Sequence, residues 1–98
     1  MADGYELVEI ARKTGKIKKG TNEATKLLER GLAHAVVYAA DVNPKEIVMH
    51  LPLIAKEKGI PCFEVASKEE LGAAAGLTKP TAAVAIVDAG DAKSMLKE

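Results

Sequence analysis

The stretch Lys19-Gly20-Thr21-Asn22-Glu23-Ala24-Thr25-Lys26 sets two ammonium groups, an amide and a carboxylate within eight residues. On a helix turning about 100° per residue, with Asn22 at zero, Lys26 falls at about 40°, Arg30 at about 80° and Glu23 at about 100°. Ala24, Leu27, Leu28 and Gly31 fall on the other side, between about 140° and 240°. One arc can pack on a core while the other presents donors and an acceptor together. Such a set is suited to guanine edges. Lysine donates to O6 and N7, glutamate accepts from N1–H and N2–H, and an asparagine amide can do either. Open amides around Gly20–Asn22, with Lys18 and Lys19 beside them, are suited to phosphate oxygens. Gly20 lets a backbone approach closely. The plainer reading is a solvated polar face with Thr21 or Asn22 serving as a cap.

The elements that must position this segment follow from hydrophobic periodicity and punctuation. Asp3 can cap a first helix with Leu7, Val8, Ile10 and Ala11 on its apolar face, and Gly15 fits the left-handed position after it. Lys16–Lys19 reads as a short alternating strand, and Gly20–Thr21 opens a second helix that Gly31 closes. Ala33–Ala40 is a buried strand. Asn43, Pro44 and Glu46 form a capping signal for a third helix, which Pro52 should kink or split near His50 before Gly59 ends it. Ile60–Ala66 is a third strand, and Ser67-Lys68-Glu69-Glu70 is a capping box for a short helix ending at Gly76. Leu77-Thr78-Lys79-Pro80 is a loop, Thr81–Asp88 a fourth strand, and Asp91 begins a last helical fragment. Regular alternation predicts an α/β fold, a sandwich with helices on both faces of a parallel or mixed sheet.

Ninety-eight residues, 48% hydrophobic and 29% charged, are expected to form one globular domain spanning 1–98. One cysteine excludes an internal disulfide and cannot build a zinc site alone. The apolar run Ala82–Val87 is too short to cross a bilayer, so no membrane partner is expected. Three aromatics and no tryptophan argue against binding by base stacking. The net charge is zero, yet five of the eight residues Arg12–Lys19 are basic, so the positive charge is local. A small basic patch on a neutral body suits a compact target better than a long duplex. His34 and His50 have no partners at metal-ligand spacing and read as structural, and Cys62 reads as a small buried hydrophobe. No catalytic set is present, so a non-enzyme with neither metal nor cofactor is expected.

Gly15-Lys16-Ile17-Lys18-Lys19-Gly20-Thr21-Asn22-Glu23-Ala24-Thr25-Lys26 resembles the signature of the kink-turn RNA-binding ribosomal protein family. The likeness is to its archaeal members and to its eukaryotic small nucleolar ribonucleoprotein relatives. It continues through Glu29-Arg30-Gly31, Ala40-Asp41, Asn43-Pro44, Glu46-Ile47-Val48, His50-Leu51-Pro52-Leu53, Ile60-Pro61, Ser67-Lys68, Leu71-Gly72 and Gly76-Leu77, which is nearly the whole chain.

The resemblance implies a three-layer α/β/α sandwich with a mixed four-stranded sheet. It implies as target a kink-turn, a three-nucleotide bulge beside tandem sheared G·A pairs, in ribosomal RNA and in box C/D and box H/ACA guide RNAs. By that likeness Asn22, Glu23 and Lys26 contact the G·A guanines, with Gly20 and Thr21 at the same helix start. Lys18 and Lys19 lie along the backbone, and Ile47 with the loop Leu77–Ala82 (Lys79, Pro80 and Thr81 included) encloses the extruded nucleotide. It also implies guide-ribonucleoprotein core proteins, the fibrillarin complex among them, as partners. A monomer located in the cytoplasm, on the ribosome or a guide ribonucleoprotein, is expected. Lys79 departs from the more acidic or apolar middle of many archaeal loops and is expected to add a phosphate or base contact. Two alternatives stand beside this reading. One is a large-subunit ribosomal sibling without a guide-RNA role, told apart by binding ribosomal but not box C/D RNA. The other is a small anion or nucleotide binder, which lacks the glycine motifs such proteins use.

Overall fold

A computed structural model describes residues 4–42, 46–88 and 90, with the side chains of Glu46 and Ile47 outside that description. The elements run α1 (Gly4–Thr14), β1 (Lys16–Lys19), α2 (Thr21–Glu29), β2 (Ala35–Ala39), α3 (Glu46–Lys58), β3 (Cys62–Val65), α4 (Lys68–Ala74) and β4 (Ala83–Asp88). The strands form one sheet in the order β1-β4-β2-β3. β4 is antiparallel to both of its neighbours and β2 is parallel to β3, so the sheet is mixed, as the resemblance implies. α1 packs with α4, α2 packs with α3, and the sheet lies between the two pairs.

Periodicity explains the core. Leu7, Val8 and Ala11 bury one stripe of α1, and Ala24 and Leu28 bury the matching stripe of α2. Val36, Val37, Val84 and Ile86 fill the two central strands and are fully buried. β-branched residues suit this two-sided burial. Register then carries the chain ends of β1, β2 and β3 to one edge of the molecule. Lys19 pairs with Val84, Tyr38 with Ala83, and Ala39 with Val65. The loops leaving that edge build the candidate site.

Several sequence-based expectations need correction. α3 runs unbroken from Glu46 to Lys58 with Pro52 inside it, rather than splitting near His50. Proline removes one intrahelical donor, and burial of Val48, Leu51 and Ala55 on either side holds the turn. Gly15 is not left-handed. Its role is close approach, since a Cβ there would collide with the Asp88 carbonyl oxygen. β3 starts at Cys62 rather than Ile60, after Pro61, which has no amide to give a ladder. It is an edge strand, so Cys62 is half-buried rather than buried. β4 starts at Ala83 rather than Thr81, because the Thr81 amide donates to the Lys68 carbonyl (3.1 Å) instead of joining the sheet. The capping box of α4 is half-formed. Ser67 Oγ accepts from the Glu70 amide (3.3 Å), but the Ser67 amide is already given to the Tyr5 hydroxyl (2.8 Å). The proposed caps Asp3, Asn43 and Pro44 and the fragment from Asp91 lie outside the described residues.

Candidate nucleic-acid interface

The site begins where β1 hands the chain to α2. Gly20 caps the helix at φ 105°, a left-handed conformation that favours glycine, and it has no side chain to bond the first-turn amides. The first backbone bond is Ala24 N to Gly20 O (3.0 Å). The amides of Thr21, Asn22 and Glu23 therefore lack intrahelical acceptors, and the positive end of the helix dipole is open. The cap reading of Thr21 and Asn22 does not hold, because the cap position belongs to Gly20.

Asn22, Glu23 and Lys26 are exposed on α2, and Lys18 and Lys19 are exposed on β1. Among the described residues no ion pair or hydrogen bond holds the Glu23 carboxylate. An unpaired, exposed acid is costly to place against phosphates and useful against guanine donors.

The second wall is the loop from Leu77 to Thr81. With Lys19 and Gly20 it encloses an open groove of about 320 Å³, lined by Leu77, Thr78, Lys79, Pro80 and Thr81. Leu77 is half-buried, and Thr78, Lys79 and Pro80 are exposed. Thr81 is only 7% exposed, and its hydroxyl donates to the Ala83 carbonyl (3.1 Å). It shapes the groove rather than offering a free hydroxyl. Ala82 lies outside the groove wall, its carbonyl accepting from the Ala39 amide (2.9 Å). Lys18, Asn22, Glu23 and Lys26 do not line the groove. Ile47 belongs to the first turn of α3, and its side chain lies outside the described residues.

Sequence reasoning missed the supports of this loop. Asp41 Oδ1 accepts from the Lys68 amide (2.8 Å), so the chain leaving β2 holds the start of α4. The Leu77 amide donates to the Gly72 carbonyl (2.8 Å), and a Cβ on Gly72 would collide with the Lys79 carbonyl oxygen. The loop thus lies directly on α4. Arg12 Nε donates to the Ala74 carbonyl (3.2 Å) and ties α4 back to α1. The Ser67-Lys68 signal marked the helix start, but no local pattern pointed to Asp41 or Tyr5 as its partners.

The perturbed titrations lie on the far sheet edge. Burial, then the nearby Glu64 carboxylate, pushes the Cys62 thiol up to about 11. Burial, then Glu64 and Cys62, raises Tyr38, whose hydroxyl donates to Glu64 Oε2 (3.3 Å). Among the described residues no cluster of three metal-ligating side chains occurs, and no helix is long and apolar enough to cross a membrane.

Residues 2–96 match the ribosomal protein L7Ae/L30e/S12e/Gadd45 family. The chain belongs to that family. It is 56% identical over 92 residues to the large ribosomal subunit protein eL8 of Haloquadratum walsbyi, covering 94% of this chain and 77% of that protein. Its fold is similar to that of a 15.5 kD RNA-binding protein of Giardia lamblia, with a TM-score of 0.82 and 34% identity over 99% of this chain and 85% of the other. L7Ae/L30e/S12e/Gadd45 membership carries the resemblance drawn from Gly15–Lys26, and a ribosomal protein family carries the non-enzymatic reading.

Proposed function

We propose that this chain is an RNA-binding ribosomal protein that recognises kink-turns and stabilises their bent form. The observation that carries the reading is the unpaired, exposed carboxylate of Glu23 beside Lys26, Asn22 and a helix start with no side-chain cap. An A-form duplex hides its base edges in a deep, narrow major groove. A kink opens that groove and turns guanine edges outward. The α2 arc then accepts from and donates to those edges, while Lys18 and Lys19 neutralise the converging phosphates. The groove between Lys19–Gly20 and Leu77–Thr81, with Ile47, receives the extruded nucleotide. Because these contacts exist only with the bent conformer, binding shifts the RNA toward it.

Residues 1–98 act here as one RNA-binding domain. The family likeness extends the targets to ribosomal RNA and to box C/D and box H/ACA guide RNAs, with nucleation of ribonucleoprotein assembly. The proposed partners include guide-ribonucleoprotein core proteins, the fibrillarin complex among them, and the proposed location is the cytoplasm, on those particles; the family likeness supports this reading. A second reading, a large-subunit ribosomal protein without a guide-RNA role, is favoured by the similarity to eL8. A gel shift tests the first reading. A kink-turn RNA should be retarded at concentrations where the same RNA with both G·A pairs replaced by Watson–Crick pairs is not. Equal retardation of the two overturns it. Retardation of ribosomal but not box C/D kink-turns selects the second reading.

A further inference from the structure

Thr25 sits in the middle of α2, one turn beyond Thr21, and its hydroxyl makes two short contacts. It lies 2.8 Å from the Thr21 carbonyl oxygen and 2.6 Å from His50 Nε2 on α3. A hydroxyl has one proton, and a carbonyl oxygen can only accept. The 2.8 Å contact requires the Thr25 proton to go to Thr21. The 2.6 Å contact then requires His50 Nε2 to carry a proton and donate to Thr25. The three groups form a directed chain, His50 to Thr25 to the Thr21 carbonyl.

Both histidine and threonine are half-buried, so water competes little for the chain. A threonine hydroxyl bonded to the carbonyl four residues back bends a helix slightly, and here the histidine fixes the hydroxyl that does so. The carbonyl at the end of the chain belongs to Thr21, the first residue of α2. The next two residues, Asn22 and Glu23, carry the polar arc. His50 also stands three residues after Ile47 on the same helix.

The geometry points to His50 as a positioning residue for the RNA-binding face: its Nε2–H donor, acting through Thr25, fixes the first turn of α2 against α3. This rests on the reading of α2 as the RNA-contacting helix. His50 touches no RNA in this account.

The test uses the full chain and has two arms. In the free protein, amide exchange is measured by NMR for wild type, His50→Ala, His50→Gln, His50→Asn and Thr25→Val. The glutamine amide nitrogen can stand where Nε2 stands, whereas that of asparagine is too short. Exchange at Ala24–Lys26 should speed up about three- to tenfold in His50→Ala, His50→Asn and Thr25→Val, with α1 unchanged and His50→Gln close to wild type. Equal acceleration in α1 and α2, or no rescue by glutamine, overturns the inference. So does an Nδ1–H tautomer of His50 in the wild-type spectrum, which needs no variant to fold. In the second arm, kink-turn RNA affinity should fall in the same order. Wild-type affinity in a His50→Ala protein with loosened α2 amides contradicts the positioning role. If wild type itself does not bind the kink-turn, the proposed function falls, and the exchange arm still decides the histidine chain.

Discussion

The amide of Gly20 and the hydroxyl of Thr81 donate to the same carbonyl oxygen, that of Ala83, at 2.9 Å and 3.1 Å. These residues stand on opposite walls of the groove, one at the start of α2 and the other at the end of the Leu77–Thr81 loop. The first residue of β4 thus sets the spacing between the helix that carries Glu23 and the loop that carries Lys79. Removing one of the two donors should loosen the groove without unfolding the protein. Thr81→Val keeps the volume and drops the hydroxyl, so it should lower unfolding free energy by about 1 kcal/mol in a urea titration. An unchanged midpoint would mean that the shared carbonyl contributes nothing.

Glu23 and Lys18 should respond differently to substitution. On the proposed reading, Glu23→Ala removes the acceptor for guanine protons and should weaken kink-turn binding by about 1–3 kcal/mol, with the salt dependence kept. On the same reading, Lys18→Ala removes one phosphate contact and should lower the slope of log affinity against log salt by about 1, with a smaller loss at moderate salt. Titrations at several salt concentrations separate the two. Equal losses with equal slopes would contradict the division of roles.

Asp41 should act on the loop through α4. Asp41→Ala leaves the Lys68 amide without its acceptor and should cost about 1 kcal/mol of stability, the usual cost of a lost helix cap. The Lys68 amide should exchange faster, and resonances of Leu77–Thr81 should shift, because Lys68 O also accepts from Thr81 N. Shifts confined to residues beside position 41 would show that the loop does not depend on this cap.

Alkaline pH should destabilise the protein through Cys62. Its thiol is raised from an ordinary 9.0 to about 11 by burial and by Glu64. Between those values the unfolded chain loses its proton while the folded one keeps it. Stability from this group is therefore full below pH 9 and is lost as pH rises toward 11. Tyr38, raised by burial first and by Glu64, adds in the same direction. Urea midpoints across that range should fall, and they should fall less in Cys62→Ala. Identical profiles for the two proteins would remove Cys62 as a cause.

The sequence made legible what depends on local pattern. The helical faces of α1 and α2, the four strands and the polar arc at Asn22, Glu23 and Lys26 follow from spacing alone, since periods of 3.6 and 2 sort side chains into buried and exposed sets. What was hidden depends on residues distant in the chain. Tyr5 meets Ser67 across 62 positions, and Asp41 meets Lys68 across 27. Of the expected kink or split near His50, the split does not occur, because tertiary burial outweighed a local rule. Gly15 and Gly72 are glycines because of a carbonyl from another element, which no reading of their neighbours could reveal.

On the proposed reading, the α2 arc grips guanine edges that only a sharply bent RNA displays. Energy transfer between dyes on the two arms of a kink-turn duplex measures this directly as protein is added. The arms should draw together with wild-type protein, and the same duplex with Watson–Crick pairs in place of both G·A pairs should stay extended at the same protein concentrations. Tight binding to both duplexes with no change in arm distance would contradict the account.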